Sequence, residues 1–439
     1  MRTKGVQVVM VTILCAAFAT AKASEKVIFS FNLADGNLPD AGLVADKQGN
    51  LYGTTAYNGG KYGLGNVFEL SPTKTGGWKE TVLHDFAGGA DGAYPLDSLI
   101  FDAAGNLYGT AQLGGQGVCL NQGNLKLGCG IVFKLSPSKG GWKETVLYNF
   151  VPGKTKGVIP VGGLVFDGKG NLYGTTWAPG VTGGPLQVRR DGSGTFWGCS
   201  VPGCGGTVYE LTPTKKGWKE TDIYAFTGGS DGSVSQASVI FDAAGNLYGT
   251  TVYGGTTGCA SGYGCGVVFK LTPGNKGWKE SVLHLFTGAA DGGYPMGSLI
   301  FDAAGNLYST AAAGGASGNG AVFELKPSGH KWTEAVLYSF TGGADGASPF
   351  ATVISDSHGN LYGTTSGGGD PVYKSGVVYE LMFSGGSWKE KVLHTFTYGG
   401  GDGQSPVAPL LFGPKGYLYG TTQTGGAFTS HGAVFEVVP

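Results

Sequence analysis

Short apolar runs alternate with Gly-rich polar segments along the chain, and the runs keep one order from copy to copy. In the second copy, 96–102 is a short apolar run suited to an inner strand. Ala103-Ala104-Gly105 turns the chain, 106–110 returns it, and a variable loop leads to the apolar run 131–135. Ser136-Pro137 and Gly140-Gly141 then turn it into 142–150, which opens on Trp142. Each copy is thus expected to fold as four antiparallel strands. The phrase Gly-Asn-Leu-Tyr-Gly-Thr-Thr, or a near copy, marks the first hairpin seven times, at Asn50, Asn106, Asn171, Asn246, Asn306, Asn360 and, as Gly-Tyr-Leu-Tyr, at Tyr417. A period of roughly 55 to 75 residues filled with short strands is that of propeller blades.

Each fourth strand begins Trp-Lys-Glu or Trp-Thr-Glu, at Trp78, Trp142, Trp218, Trp278, Trp332 and Trp388. Charges on the outermost strand defend an open sheet edge against pairing with another molecule. Only six such strands serve the seven hairpins. The missing one is found at the N-terminus, where Glu25-Lys26-Val27-Ile28-Phe29-Ser30-Phe31 aligns on Glu80-Thr81-Val82-Leu83-His84-Asp85-Phe86. The last repeat stops after its third strand, 433–437, so the N-terminal strand should complete the last blade. The expected fold is all-β: one domain over 24–439, a seven-bladed β-propeller of four-stranded antiparallel blades.

The composite pattern Phe-x-Gly-Gly-x-Asp-Gly, Asp-x-x-Gly-Asn-Leu-Tyr-Gly-Thr-Thr-x-x-Gly-Gly and Gly-x-Val-Phe-Glu-Leu-x-Pro resembles the tandem repeat of the GloVer-type, "choice-of-anchor" exported bacterial proteins. The resemblance covers essentially all of 25–439. It implies an exported repeat protein of no established activity, commonly with a C-terminal sorting or anchoring tail. Here the chain ends Val437-Val438-Pro439 without such a tail. Release into periplasm or medium is therefore expected.

The first 23 residues read as a secretory signal peptide. Arg2 and Lys4 precede an apolar stretch, and Ala21-Lys22-Ala23 gives a small-x-small cleavage signal before Ser24. No later stretch approaches the ~18 to 20 apolar residues of a membrane span. Cleavage removes three of the 29 basic residues and leaves 26 against 30 acidic ones, a net charge of −4. With no basic run, the chain lacks the electrostatic footprint of a nucleic-acid binder. Six cysteines remain after Cys15 is removed, in close pairs: Cys119 with Cys129, Cys199 with Cys204, Cys259 with Cys265. Local disulfides in an oxidising compartment are expected. Zinc at these cysteines is not, because no His accompanies them.

Comparing the copies separates scaffold from candidate sites. His84, His284 and His394 share one strand position with Tyr148, Tyr224 and Tyr338, which suits a packing role better than catalysis. Asp46, Asp102, Asp167, Asp242, Asp302 and Asp356 are turn caps of the first hairpin, with Gly413 in the last blade. A second set, Asp35, Asp91, Asp231, Asp291, Asp345 and Asp402, precedes Gly in the connection to the next blade, with Lys156 breaking the series. On one face of a propeller these acids could ring the channel mouth and bind Ca²⁺, although Asp-Gly is also an ordinary turn dipeptide. No other cofactor is expected.

The loops between second and third strands lengthen in blades two to four and carry all six cysteines. The longest holds Trp177, Arg189, Arg190 and Trp197, the two Trp outside the repeat position and the only Arg after the signal segment. Exposed Arg and aromatic side chains on a disulfide-held loop are the usual make-up of a binding hot spot. They could equally form a local core with a solvated tip. The leading expectation is a monomeric exported binding or scaffold module for a protein or glycan. The alternative is a hydrolase or lyase acting on extracellular polysaccharide. The remaining off-repeat acids, Asp97, Asp191, Asp222 and Asp370, show no pairing along the sequence.

Overall fold

The computed structural model describes residues 24–122, 125–153, 157–179, 205–255, 258–259, 262–329 and 331–439. The expected signal segment, 1–23, lies outside them. Seven antiparallel sheets form a seven-bladed propeller. In blade two the strands from the axis outward are Ile100–Phe101, Leu107–Ala111, Ile131–Ser138 and Gly141–Asn149. The inner strand is shorter than the apolar run suggests. Only Ile100 and Phe101 pair, with Tyr108 and Leu107, because the preceding residues bend around the axis. Pro137, expected in a turn, continues the third strand opposite Trp142. The second strand has already ended at the pair Leu107–Leu135, so a proline two residues further on costs no ladder bond on that side.

The recurring phrases are explained by contacts within and between blades. Gly53 sits under the ring of Phe68 on the adjacent strand, and a Cβ there would meet Cζ at 2.6 Å. That third-strand aromatic also packs edge-on against the Phe that ends the previous blade. The pairs Phe31–Phe68, Phe86–Phe133, Phe150–Tyr209, Phe226–Phe269, Phe286–Phe323, Phe340–Tyr379 and Phe396–Phe435 all have centroids 5.0 to 5.2 Å apart. The core is therefore distributed over the seven junctions, one buried aromatic pair in each. The first Thr of Gly-Thr-Thr adds a polar latch: Thr175, Thr250, Thr310, Thr364 and Thr421 donate to the carbonyls of Ala237, Gly297, Ala351, Ala408 and Ala41 in the following blade, at 2.9 to 3.3 Å.

Ring closure follows the strand count. Ser24–Ser30 pairs antiparallel with Ala433–Val438, placing Lys26 opposite Glu436 and Val27 opposite Phe435. The two ends of the chain thus share one four-stranded blade with Leu411–Phe412 and Leu418–Thr422. Between third and fourth strands the register slips once at the same place in every blade, for example between Val132 and Phe133. Each slip is a bulge that increases local twist.

Candidate functional site

Most carboxylates are taken up by the scaffold. In the first hairpin Asp102 Oδ1 accepts from the amides of Ala104 and Asn106, and Oδ2 from the Asn106 side chain and the Tyr108 hydroxyl. Asp46, Asp242, Asp302 and Asp356 repeat this set of contacts. These bonds hold Asp102 below the usual carboxylate range although partial burial opposes it. Asp-x-x-Gly-Asn-x-Tyr is therefore a self-capped turn.

The Asp-Gly carboxylates lie at the blade junctions, beside the outermost strands. Asp231 accepts from the amide and hydroxyl of Thr227 at 2.8 and 2.5 Å and from Tyr224 at 3.1 Å. Asp345 is held in the same way by Thr341 and Tyr338. Where His replaces Tyr, the ring meets the same acid: His84 Nε2 is 3.1 Å from Asp91 Oδ1, His284 Nε2 3.4 Å from Asp291 Oδ2, and His394 Nε2 3.3 Å from Asp402 Oδ1. Asp35 binds the Asn32 amide at 2.7 Å. Lys156 lies outside the described residues. The six acids are distributed around the perimeter, and none lines the central cavity described below.

Each junction also receives a glutamate from the Trp-Lys-Glu strand of the next blade. Glu25, Glu80, Glu144, Glu280, Glu334 and Glu390 are all pushed up to about 7, by burial first and with a further rise from the neighbouring Asp charge, which at Glu25 is opposed by His394. Their Oε1 atoms are closed off from solvent without a hydrogen-bond partner. Burial works against a charged His84, but Asp91, with Glu144 and Asp85 nearby, outweighs it and holds the ring above its ordinary value. At His284 burial prevails and lowers it.

The axis carries different chemistry. Each blade begins with a residue in the left-handed region: Leu38, Tyr94, Ile159, Val234, Tyr294, Ser348 and Ser405, φ 53 to 62°. For β-branched Ile159 and Val234 this conformation is strained. Bonds on both sides hold it. The Tyr94 amide donates to Leu64 O of the previous blade at 2.8 Å, and its carbonyl accepts from Gln112 N at 3.1 Å. Ser405 is fixed likewise by Ser375 O and Gln423 N, and Ser348 by Asn319 O and Ser366 N. This clasp aims two side chains per blade at the axis: one two residues after the strained position, the other just after the second strand.

These side chains line a central cavity of about 630 Å³. Five blades contribute apolar groups after the strained position, Leu96, Val161, Met296, Phe350 and Val407, and the other two contribute Asp40 and Gln236. Just after the second strand come Gln112, Ser366 and Gln423, while Trp177 comes from within the longer second strand of blade three, Leu172–Pro179. Asp97 adds a second carboxyl at a position where the other blades have Ala or Gly. Asp40 and Asp97 are enclosed by protein yet keep part of their surface on the cavity, and burial pushes both carboxyls up to about 7. Gln423 reaches one side of Asp40, whose Oδ1 has no partner. Asp97 Oδ1 accepts from the Ser98 amide at 2.6 Å. The Tyr57 hydroxyl donates to Gln112 Oε1 at 3.3 Å, and Asn37 fixes the Tyr57 carbonyl at 2.8 Å.

Of the hot-spot residues read from the sequence, Trp177 is only 3% exposed. It packs in the largest core cluster with Tyr57 and Tyr94, and one side of it forms cavity wall. Of the two readings left open for it, exposed hot spot or local core, Trp177 takes the buried one. Arg189, Arg190 and Trp197 lie outside the described residues, as do Cys199 and Cys204. Cys119–Cys129 and Cys259–Cys265 form disulfides in the loops of blades two and four. Sequence reasoning passed over Asp40, Gln112, Gln236 and Gln423. Aligning the residue two beyond the strained position across the copies would have isolated Asp40 and Gln236 as its only polar members.

Solved structures resemble the chain at low identity. An ancestral GH74 enzyme is 11% identical with a TM-score of 0.53, covering 92% of this chain, which spans 48% of that enzyme. A gluconolactonase from Xanthomonas campestris is 14% identical with a TM-score of 0.41, over 92% of this chain and 87% of that one. Such likeness extends to the fold alone. No curated protein matches the chain. A family model described as the Gloeobacter/Verrucomicrobia repeat matches residues 16–195 and 256–439.

Proposed function

The chain belongs to the Gloeobacter/Verrucomicrobia repeat family, and from that premise we propose that it is an exported binding protein that takes a neutral glycan chain end into its central cavity. One observation carries this reading. The polar side chains that break the repeat, Asp40, Asp97, Gln112, Gln236 and Gln423, converge on one cavity, whereas the acids that obey it are bonded into turns and junctions. Carboxyl and amide groups suit sugar hydroxyls, and Trp177, Leu96, Met296 and Phe350 offer surface for C–H faces. The volume of about 630 Å³ falls in the usual range for small-ligand sites. Exposed Leu33, Tyr62, Val118, Tyr263, Val372, Tyr373, Tyr398 and Phe428 belong to connections that end on the same face as the residues lining the cavity. Tyr373 and Tyr398 stack at 4.9 Å. Export accords with the disulfides, and no helix among the described residues is long and apolar enough to cross a membrane.

A glycan array followed by calorimetry on Asp40→Asn and Asp97→Asn provides the test. Each variant should weaken binding at least tenfold, about 1.4 kcal/mol, with the melting temperature held or raised. Undiminished affinity in both would overturn the cavity as the site. The hydrolase reading draws on the same two carboxyls, which near pH 7 could donate or accept a proton. Reducing-sugar release that Asp97→Asn abolishes would replace binding by turnover; no release from any bound glycan removes that reading.

A further inference from the structure

We propose that two blade junctions, His84–Asp91–Glu144 and His394–Asp402–Glu25, are binding sites for a divalent transition-metal ion. In each trio one imidazole nitrogen and two carboxylate oxygens lie within 4.8 Å of one another. His84 Nε2 and Asp91 Oδ1 are 3.1 Å apart, and His394 Nε2 and Asp402 Oδ1 3.3 Å. Ligand bonds of ~2.0 to 2.2 Å in tetrahedral geometry place neighbouring ligand atoms ~3.3 to 3.6 Å apart. The His and Asp donors therefore already stand near that spacing, with the glutamate oxygen within 4.8 Å of both. The outer carboxylates have a second reason to accept an ion. Glu144 Oε1 and Glu25 Oε1 are shut off from solvent and face another acid, Asp91 and Asp402. Two carboxylates and a neutral imidazole balance a double positive charge. Both rings are half-buried, 19% exposed at His84 and at His394, and His84 Nε2 itself is closed off from solvent.

The donor set selects the class of ion. Ca²⁺ takes six to eight oxygens and Mg²⁺ six, whereas an imidazole with two carboxylates suits Zn²⁺, Co²⁺ or Ni²⁺. The other junctions supply internal controls. Tyr224 and Tyr338 occupy the His position and donate a phenol proton to Asp231 and Asp345. At Asp35 the aligned residue is Phe29. His284, Asp291 and Glu334 do not form a third group of this spacing among the described residues. The consequences of the two sites differ. Glu25 belongs to the strand that closes the ring, so an ion held there would tie the N-terminal strand to blade six.

Chelator-stripped protein titrated with Zn²⁺ in calorimetry, and with Co²⁺ by visible absorption, tests the assignment. Two equivalents should bind, matching the two trios, and Co²⁺ should give d–d bands of low-symmetry N/O coordination. His84→Tyr and His394→Tyr should each lose one equivalent, and the double variant both; tyrosine is chosen because sibling blades carry it at this position. His284→Tyr should retain two. Should a tyrosine variant fail to fold, Glu144→Gln and Glu25→Gln give the same readouts. Zn²⁺ should also raise the melting temperature, and His394→Tyr should lose most of that rise. Absence of saturable Zn²⁺ or Co²⁺ binding, binding undiminished in the double tyrosine variant, or stabilisation by Ca²⁺ alone would each overturn the proposal.

Discussion

The perimeter and the axis use the same residue types to opposite ends. At the perimeter Asp, Glu, His and Tyr recur at fixed places, and the Asp-Gly acids bond within their own turn, as Asp231 does with Thr227. At the axis, Asp40 and Asp97 each occur once: the sibling blades carry Leu, Val, Met, Phe and one Gln at the first position and Ala or Gly at the second. A repeated polar residue can be satisfied by its own motif, because the motif brings the partner with it. A polar residue that interrupts the repeat comes with no such partner. Asp40 Oδ1 illustrates this: it is buried, unbonded and on a cavity. In an array of near-identical units, functional residues are thus recognised by departure from the unit rather than by their chemistry.

The most severe way to break the contrast is to remove one member of the junction core. Phe323 is fully buried, edge-on to Phe286 at 5.1 Å. Phe323→Ala should cost about 3 to 5 kcal/mol and lower the melting temperature of so large a single domain by roughly 3 to 6 °C. Met296→Ala at the axis should cost less than about 1.5 kcal/mol, because it enlarges an existing cavity of about 630 Å³ rather than creating one. Calorimetric melting of the two variants decides. Equal losses would mean that the axis is packed core and no binding space.

Proton linkage sharpens the contrast further. Asp40 and Asp97 are pushed up to about 7 in the fold by burial, against an ordinary value near 4 when unfolded. The fold therefore holds protons that the unfolded chain has released. Their stabilising contribution is complete below about pH 4 and is lost as pH rises through about 7. Asp40→Asn with Asp97→Asn should flatten the fall in melting temperature between pH 4 and 8 and leave the variant the more stable protein at pH 8. Glu280→Gln with Glu390→Gln, at two tyrosine junctions, should act in the same direction but less, since those carboxyls rise to about 7 from a higher ordinary value. Chelator in the buffer keeps metal out of the comparison. A perimeter pair that outweighs the axial pair would reverse the ranking of the two regions.

Strand order, blade count and the closing N-terminal strand were legible because they depend on local patterns repeated many times, so that errors in one copy are corrected by the others. The turn role of Asp102 and its equivalents was legible for the same reason. The axial site was not. Its members come from seven different blades and meet only when the ring is closed, and linear spacing carries no trace of that meeting. Asp97 stood out as off-repeat but had no visible companion. Asp40 was passed over because it follows a proline in what reads as an ordinary turn. Trp177 was singled out as unusual with two environments left open, and its place on the cavity wall was not legible because nothing in the sequence signals the left-handed residue Ile159 at the start of its blade.

The finest test concerns the polar latch, where the two regions meet. Thr310 Oγ1 donates to Ala351 O across a junction at 2.9 Å. Thr54 occupies the equivalent place before blade two, the blade in which Asp97 replaces the small residue. Its hydroxyl is buried and has no partner among the described residues. Thr310→Val should therefore cost about 1 to 2 kcal/mol, the bond plus an abandoned carbonyl. Thr54→Val should be neutral or slightly stabilising, since it deletes an unsatisfied hydroxyl and gives up no bond. Urea melts of the two valine variants measure the difference directly. If both cost the same, Thr54 has a partner in solution. If only Thr310→Val is costly, the repeat has given up one junction bond at the place where an acid was admitted to the axis. A departure from the repeat that carries such a local cost is the kind that function, rather than drift, would retain.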